Sequence, residues 1–218
     1  MQPIILIPCK TLNEGKSRLS SVLSGEERAA LCKRFLQKTL TLACAVTGSE
    51  DIRVVSSDRN AVHLAANFGV RGMDDPDGDL NSALVRAVEH TVRPDLKDAL
   101  RDVLVLPIDL VLATPVQLTR MLAVAGDLVL TPDRAGHGTN LLRLTGRIAR
   151  EFRFQYGENS FSRHLAEARR LDLQAEVLRD PDLGFDVDTP ADYADWVSSR
   201  SSEDSLLLPE TRQSPRAY

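Results

Sequence analysis

Residues 4–19, IILIPCKTLNEGKSRL, join a branched apolar run, a proline stop and a polar loop that carries Lys10, Lys16 and Arg18. The run over 4–7 has no charge on either alternating face, as a strand buried on both sides of a sheet should have none. A strand that opens into a cationic, glycine-containing loop is a common start for a phosphate site in α/β folds. Loop amides and cations can converge on an anion at a strand's carboxyl end. Gly15-Lys16-Ser17 looks like the close of a Walker A loop, G-x-x-x-x-G-K-[ST]. That spacing demands glycine at position 10, where this chain has Lys10, so a P-loop is excluded. Two readings remain: a clamp of side-chain cations for a triphosphate, with Gly15 letting the backbone approach closely, or a solvated loop of scattered charges.

The same punctuation recurs along the chain. Ser24 and Glu27 have capping-box spacing, and Leu31, Phe35, Leu36, Leu40 and Ala43 follow at helical intervals. Residues 52–55 read as a strand ended by Ser56-Ser57-Asp58, followed by a helix with Leu64, Ala65 and Phe68 on one face. An acidic stretch over 74–79 holds the turn signal Asp77-Gly78. Leu80, Leu84 and Val88 mark a helix that should end near Pro94. Residues 103–106 form a wholly apolar strand that runs into Pro107-Ile108-Asp109. Thr114, Pro115 and Gln117 start the next helix. A strand over 128–130, a loop over 131–140 (TPDRAGHGTN) and a returning strand over 141–144 come next. Phe161, Leu165, Ala168 and Leu171 mark a further helix. Residues 182–188 (DLGFDVD) should contain a short strand, and Thr189, Pro190 and Asp192 cap a last helix through Trp196. Strands alternating with helices predict a three-layer, Rossmann-like α/β fold with a mixed, mainly parallel sheet.

The chain has 218 residues, enough for one substantial core, so residues 1–198 are read as one domain. From 199 to 218 the composition turns to Ser, Glu, Arg and Pro, which predicts a disordered tail. A net charge of -4 argues against a general nucleic-acid surface. No apolar stretch approaches the ~20 residues that span a bilayer. Cys9, Cys32 and Cys44 fit neither a zinc pattern nor a disulfide framework, and no signal peptide is visible, so a cytoplasmic setting is expected.

The polar clusters all fall at strand ends. Asp109 follows a buried strand and is either a helper for the next helix or a metal ligand. Asp186 and Asp188 flank Val187; on an extended segment both carboxylates can point one way. Two like charges held close call for a cation, and magnesium, a hard oxygen-loving ion, is the natural one. The alternative is a helix-capping region before Thr189-Pro190. In the 131–140 loop, Thr139 and amides near Gly138 suit an anionic substrate, though an ordinary strand connection has the same composition. His137 reads as an exposed loop histidine. Ser160 reads as an N-cap whose neighbouring free amides favour a phosphate or carboxylate, and His164 as structural or as a partner to a site residue. His63 and His90, on helices, carry no signal.

Taken in order, IPCKTLNEGKSRLS, SSD, DPDGDLNSAL, LPIDL, PDRAGHGTN, FQYGENSFSRHL and GFDVDTPADY resemble the guanylyltransferases of coenzyme F-420 biosynthesis. These act on 2-phospho-L-lactate, phosphoenolpyruvate or 3-phospho-D-glycerate. The resemblance spans residues 4–196 and implies the nucleotide-diphosphosugar-transferase fold. It also implies GTP as donor, held by Lys10, Lys16 and Arg18, and two magnesium ions near Asp109, Asp186 and Asp188. Ser57, Asp58, Gly78, Leu80 and Asn81 fall where such enzymes hold the nucleotide. Thr139, Asn140, Gly157 and Ser160 fall where they hold the acceptor's phosphate or carboxylate. Cys9 and Val111 depart from the family pattern, and neither change removes a charge. The expected partners are GTP and a small phosphorylated C3 acid, with neither nucleic acid nor membrane; the oligomeric state is open, a homodimer included. Competing readings are another nucleotidyltransferase, a nucleotide-sugar-dependent glycosyltransferase of the same fold, or a non-catalytic nucleotide-binding module. The G-G-x-S-x-R-x-G-x-x-K loop usual in molybdenum-cofactor guanylyltransferases is absent.

Overall fold

The structure, a computed structural model, describes residues 2–74, 79–92 and 101–199. Gly78 with the Asp77-Gly78 turn, the approach to Pro94 and the expected tail beyond Ser199 lie outside the described residues. One sheet contains β1 (Ile4–Pro8), β2 (Ile52–Val55), β3 (Arg71–Met73), β4 (Val103–Val105), β5 (Leu128–Pro132), β6 (Thr139–Leu144) and β7 (Ala175–Val177). Their spatial order is β3-β2-β1-β4-β6-β5-β7. Every neighbouring pair is parallel except those of β6, which runs antiparallel to β4 and β5. The carboxyl ends of the parallel strands therefore share one edge of the sheet, and β6 begins at that edge.

Side-chain alternation sorts the strands into two cores. Ile5, Ile7, Val54 and Leu104 face one side and pack with Cys32, Leu36 and Leu40 of α1 (Gly25–Cys44), Leu64 of α2 (Arg59–Ala66), and Leu118 and Met121 of α4 (Pro115–Ala123). Ile4, Leu6, Val103 and Val105 face the other side. There they meet Leu84 and Val88 of α3 (Leu80–Thr91), Ala149 of α5 (Gly146–Ala149) and Ala168 of α6 (Ser160–Arg170). This is the covered-on-both-faces arrangement that apolar parallel strands require. A third cluster joins Leu19, Leu31 and Phe35 to Phe185, Val187 and the fully buried Trp196 of α7 (Pro190–Ser198). Phe35 and Trp196 meet edge-on at 5.4 Å.

The capping boxes at Ser24/Glu27, Thr114/Gln117 and Thr189/Asp192 are all formed. Each cap satisfies orphan amides and contributes about 1 kcal/mol. Several expectations need correction. Phe68 lies beyond α2, which ends at Ala66, and packs on the core from the turn. The loop over 131–140 is shorter than expected: Thr131 and Pro132 extend β5, and Thr139 and Asn140 begin β6. No strand forms within 182–188, because no neighbour offers that segment a ladder; the last strand is β7, upstream. Among the described residues, no helix is long and apolar enough to cross a membrane.

Candidate active site

The loop after β1 is tied down by backbone groups. The Cys9 amide donates to Val55 at 2.9 Å, and the Leu12 amide to Asp58 Oδ2 at 2.8 Å. Asp58 also caps α2, accepting from the Asn60 amide at 2.8 Å, so one carboxylate fixes both the loop and the helix beside it. Gly15 has a packing reason as well. A Cβ there would lie 2.6 Å from Cys32 Sγ on α1, inside van der Waals contact, so the glycine lets the loop seat on the helix. Lys16 follows in the left-handed conformation, φ 55°, at a strain of about 1 kcal/mol for a residue with a Cβ.

Lys16 is the centre of a charge network. Its side chain is only 7% exposed, and Nζ donates to Asp109 Oδ2 at 2.6 Å and to Asp188 Oδ1 at 3.3 Å. Burial alone would lower its affinity for the proton, but Asp109, then Asp188 and Asp186, outweigh that and hold it above the ordinary lysine value. Arg18, on the short 3₁₀ turn Ser17–Ser21, donates to Asp188 Oδ2 at 2.6 Å and stays 72% exposed. Lys10 is exposed on the same loop.

The acidic segment is positioned by its apolar neighbours. Phe185 and Val187 are buried, while Asp186 and Asp188 between and after them are part-exposed, so the alternation expected of an extended segment holds without a ladder. The Val187 amide donates to the Asp109 carbonyl at 3.3 Å, joining the segment to the loop after β4. Burial, then the Asp109 charge, pushes the Asp186 carboxyl up to about 6, although Asn140 and Lys16 act the other way. Among the described residues no three His, Cys, Asp or Glu side chains are gathered to hold a metal ion. Lys16 supplies the positive charge instead. The donor chemistry still fits a hard dication, since Asp109, Asp186 and Asp188 offer only carboxylate oxygens.

The other half of the site is neutral. The β5–β6 hairpin is locked by Asp133, whose carboxylate accepts from the His137 and Gly138 amides at 2.9 and 2.8 Å. Phe161 at the start of α6 donates its amide to the His137 carbonyl at 3.0 Å. Thr139, the first residue of β6, is buried; its amide donates to Ser160 Oγ at 2.9 Å, and its hydroxyl lies 2.9 Å from His164 Nδ1. His164 Nε2 accepts from the Gln155 amide at 2.9 Å. Burial holds the imidazole pKa down at about 4, against a smaller opposing effect of Glu167. Ser160 is not the N-cap: Asn159 occupies that position at φ 54° without a side-chain cap, and Ser160 is the first helical residue. Gly157 sits at φ 123°, which favours glycine, and a Cβ there would meet nothing within 4 Å.

Of the remaining predicted residues, Asn140 Nδ2 donates to the Leu183 carbonyl at 3.1 Å and to Asp186 Oδ1 at 3.3 Å, joining the two halves. Both polar atoms of Asn81 engage the backbone of Tyr156: Oδ1 accepts from its amide at 2.7 Å, and Nδ2 donates to its carbonyl at 3.1 Å. Ser57 is exposed in the turn before α2, and Leu80 packs against the second core. The Asp133 lock and the Gln155 amide were not picked out from the sequence. Asp133 had a signal, an Asx residue opening a glycine-containing turn. Gln155 had none, because its contribution is a backbone N–H.

An α/β fold with its polar groups gathered at the carboxyl edge of a mainly parallel sheet is the class that this architecture defines. Solved structures agree on the fold. A nucleotide-diphospho-sugar transferase from Desulfovibrio desulfuricans matches with a TM-score of 0.71 at 18% identity, covering 94% of this chain and 91% of that one. CMP:2-keto-3-deoxy-manno-octonic acid synthetase complexed with CTP matches at 0.60 and 13% identity, covering 91% and 98%. Residues 3–202 match the family described as guanylyl transferase CofC like, and the chain belongs to that family. It is 34% identical to the phosphoenolpyruvate guanylyltransferase of Rubrobacter xylanophilus over 89% of this chain and 93% of that protein. It is 36% identical to the Chloroflexus aggregans enzyme of the same name, over 84% and 91%. It is 30% identical to the 2-phospho-L-lactate guanylyltransferase of Methanocaldococcus jannaschii, over 88% and 80%. The chain is a nucleotidyltransferase enzyme of the guanylyltransferase family.

Proposed function

We propose that this enzyme transfers GMP from GTP to the phosphate of a small phosphorylated C3 acid: phosphoenolpyruvate, 2-phospho-L-lactate or 3-phospho-D-glycerate. The proposed setting is coenzyme F-420 biosynthesis in the cytoplasm. An acceptor phosphate oxygen forms a bond to the α-phosphorus of GTP, the bond from that phosphorus to the bridging oxygen breaks, and pyrophosphate leaves. The acceptor phosphate is ionised at neutral pH, so no strong general base is needed. This suits a site whose buried histidine has both ring nitrogens already engaged. Lys16 and Arg18 exchange their carboxylate partners for triphosphate oxygens, with Lys10 beside them, and stabilise charge that develops on the leaving group. Asp109, Asp186 and Asp188 would hold magnesium, which neutralises phosphate charge when bound. Thr139, Ser160 and the backbone at Gly157 bind the acceptor's anionic groups.

The contact that carries this proposal is Asn140 to Asp186 at 3.3 Å. It sets the hydroxyl-lined half directly beside the charged half, as transfer between a triphosphate and a second anion requires. The test is pyrophosphate release from GTP and magnesium with each of the three acceptors in parallel. Release should occur with at least one and stop on chelation; absence with all three would overturn the proposal. Turnover by Asp109→Ala equal to that of the unmodified enzyme would remove the metal-holding role.

A further inference from the structure

We propose that His164 is a positioning residue that sets the hydrogen-bond polarity of the acceptor site, turning the Thr139 hydroxyl into a donor for an anion, beside a Ser160 hydroxyl biased the same way by the Thr139 amide. This rests on the acceptor reading above. The Gln155 backbone N–H can only donate, so His164 Nε2, which it meets at 2.9 Å, must be the bare nitrogen. The remaining proton of the neutral ring therefore sits on Nδ1 and is donated to Thr139 Oγ1, 2.9 Å away. The Thr139 oxygen is then occupied as an acceptor on that side, and its own O–H is left to donate elsewhere. Ser160 follows the same logic. Its oxygen accepts the Thr139 amide at 2.9 Å, which leaves its O–H as a donor.

Two hydroxyls that can each turn either way are thus biased to one role. A phosphate or carboxylate is an acceptor only, so a prearranged pair of donors suits it without reorganisation. The surroundings hold the ring in this state. His164 is fully buried, stacked on Phe152 at 5.8 Å and met edge-on by Tyr156 at 4.9 Å. Gln155 and Tyr156 lead directly into Gly157, so the segment that fixes the tautomer is the one that forms the acceptor loop.

The test compares steady-state KM for the acceptor that supports turnover with KM for GTP, in the full chain. His164→Asn keeps a donor where Nδ1 lies, and His164→Gln keeps an acceptor for the Gln155 amide but offers Thr139 no donor. His164→Phe keeps only the ring. The Gln and Phe variants should raise acceptor KM about tenfold or more, the loss expected for a misdirected hydrogen bond to an anion, with KM for GTP within about twofold. The Asn variant should restore most of the loss. Thr139→Val should raise acceptor KM at least as much. If Thr139→Val raises it and the Gln and Asn variants behave alike, the inference is overturned and the acceptor reading stands. If Thr139→Val leaves acceptor KM unchanged, the acceptor reading fails and the inference with it. Should His164→Phe not fold, the Asn–Gln contrast decides alone.

Discussion

The charged half of the site and its neutral half are held together in opposite ways. Around Lys16 the cations and carboxylates satisfy one another: Asp109 and Asp188 both bind its ammonium, and Arg18 shares Asp188. On the proposed reading a triphosphate or a metal enters by breaking these pairs, which keep the carboxylates from facing one another uncompensated. Around Thr139 nothing needs breaking. The hydroxyls are buried, each has one neutral partner, and on the inference above each has a proton to give. The contrast teaches that one half is made ready by exchangeable charge and the other by fixed hydrogen-bond direction. Electrostatic contacts can be exchanged because the incoming phosphates bring equivalent charge; buried neutral hydrogen bonds must be correct beforehand, since water is not there to repair them.

The largest effect should come from the residue that both charges and strains the first half. Lys16→Met should lower turnover by about 10²–10³-fold, roughly 3–4 kcal/mol of transition-state stabilisation, with acceptor KM little changed. Arg18→Met should lose only about tenfold, because that side chain is 72% exposed and screened by solvent. Rapid-quench measurement of GMP transfer checks both. Equal losses in the two variants would break the picture of Lys16 as the buried centre.

The neutral half should instead reveal itself in pH dependence of stability. The folded chain resists protonation of His164 down to about pH 4, while the unfolded chain takes that proton near 6.5. Above 6.5 both states are neutral and this group adds no slope. As pH falls from 6.5 to about 4 the unfolded state binds the extra proton first, and stability drops by up to about 3 kcal/mol, then levels off. Urea melts at about pH 7 and 5 should differ by about 2 kcal/mol from this group alone, and the difference should vanish in His164→Asn. Parallel slopes for the two proteins would mean that the ring is not held neutral.

A smaller effect separates packing from ligand approach in the loop after β1. With a Cβ at position 15 meeting Cys32 Sγ at 2.6 Å, Gly15→Ala should cost about 1–3 kcal/mol by overpacking. Cys32→Ala in the same chain should recover much of it, a coupling that a double-mutant cycle in denaturant reads directly. Additive losses would return the glycine to the role first expected of it, close approach to a ligand.

Most of the frame was legible because it depends on local rules. Residues 4–7 and 103–105 announce buried strands by having no polar alternate, and three capping boxes announce helix starts at Ser24, Thr114 and Thr189. Among the described strands and α-helices, three were not legible. β3 is Arg71-Gly72-Met73 and β7 is Ala175-Glu176-Val177, each three residues at an outer edge of the sheet, too short for any periodicity. α5 spans only Gly146–Ala149, a single turn. The misplaced strand in 182–188 came from reading alternation as pairing. Phe185 and Val187 do alternate with Asp186 and Asp188, but what they bury against is Trp196 and its cluster. In the site, residue types were legible and partners were not. Nothing in the sequence says that Asn140 reaches Asp186, or that a backbone amide at Gln155 sets a histidine tautomer.

Asn81 gives the mildest and most discriminating test, because the resemblance and its contacts point to different halves. The resemblance of its segment to the guanylyltransferases implies a hand in holding the nucleotide. Yet both of its polar side-chain atoms are committed to Tyr156, the residue before Gly157. On the proposed reading this clamp acts on the acceptor loop, which begins beside Tyr156. Asn81→Asp keeps the oxygen that receives the Tyr156 amide but sets a second oxygen against the Tyr156 carbonyl, replacing one hydrogen bond by a repulsion. The acceptor loop should shift, and acceptor KM should rise about tenfold, near 1.4 kcal/mol, while KM for GTP stays within about twofold. A rise confined to GTP would assign Asn81 to the nucleotide after all. A rise in both would mean that α3 carries strain from one half to the other, and the two halves would no longer be separable in the way that the Lys16 and His164 variants assume.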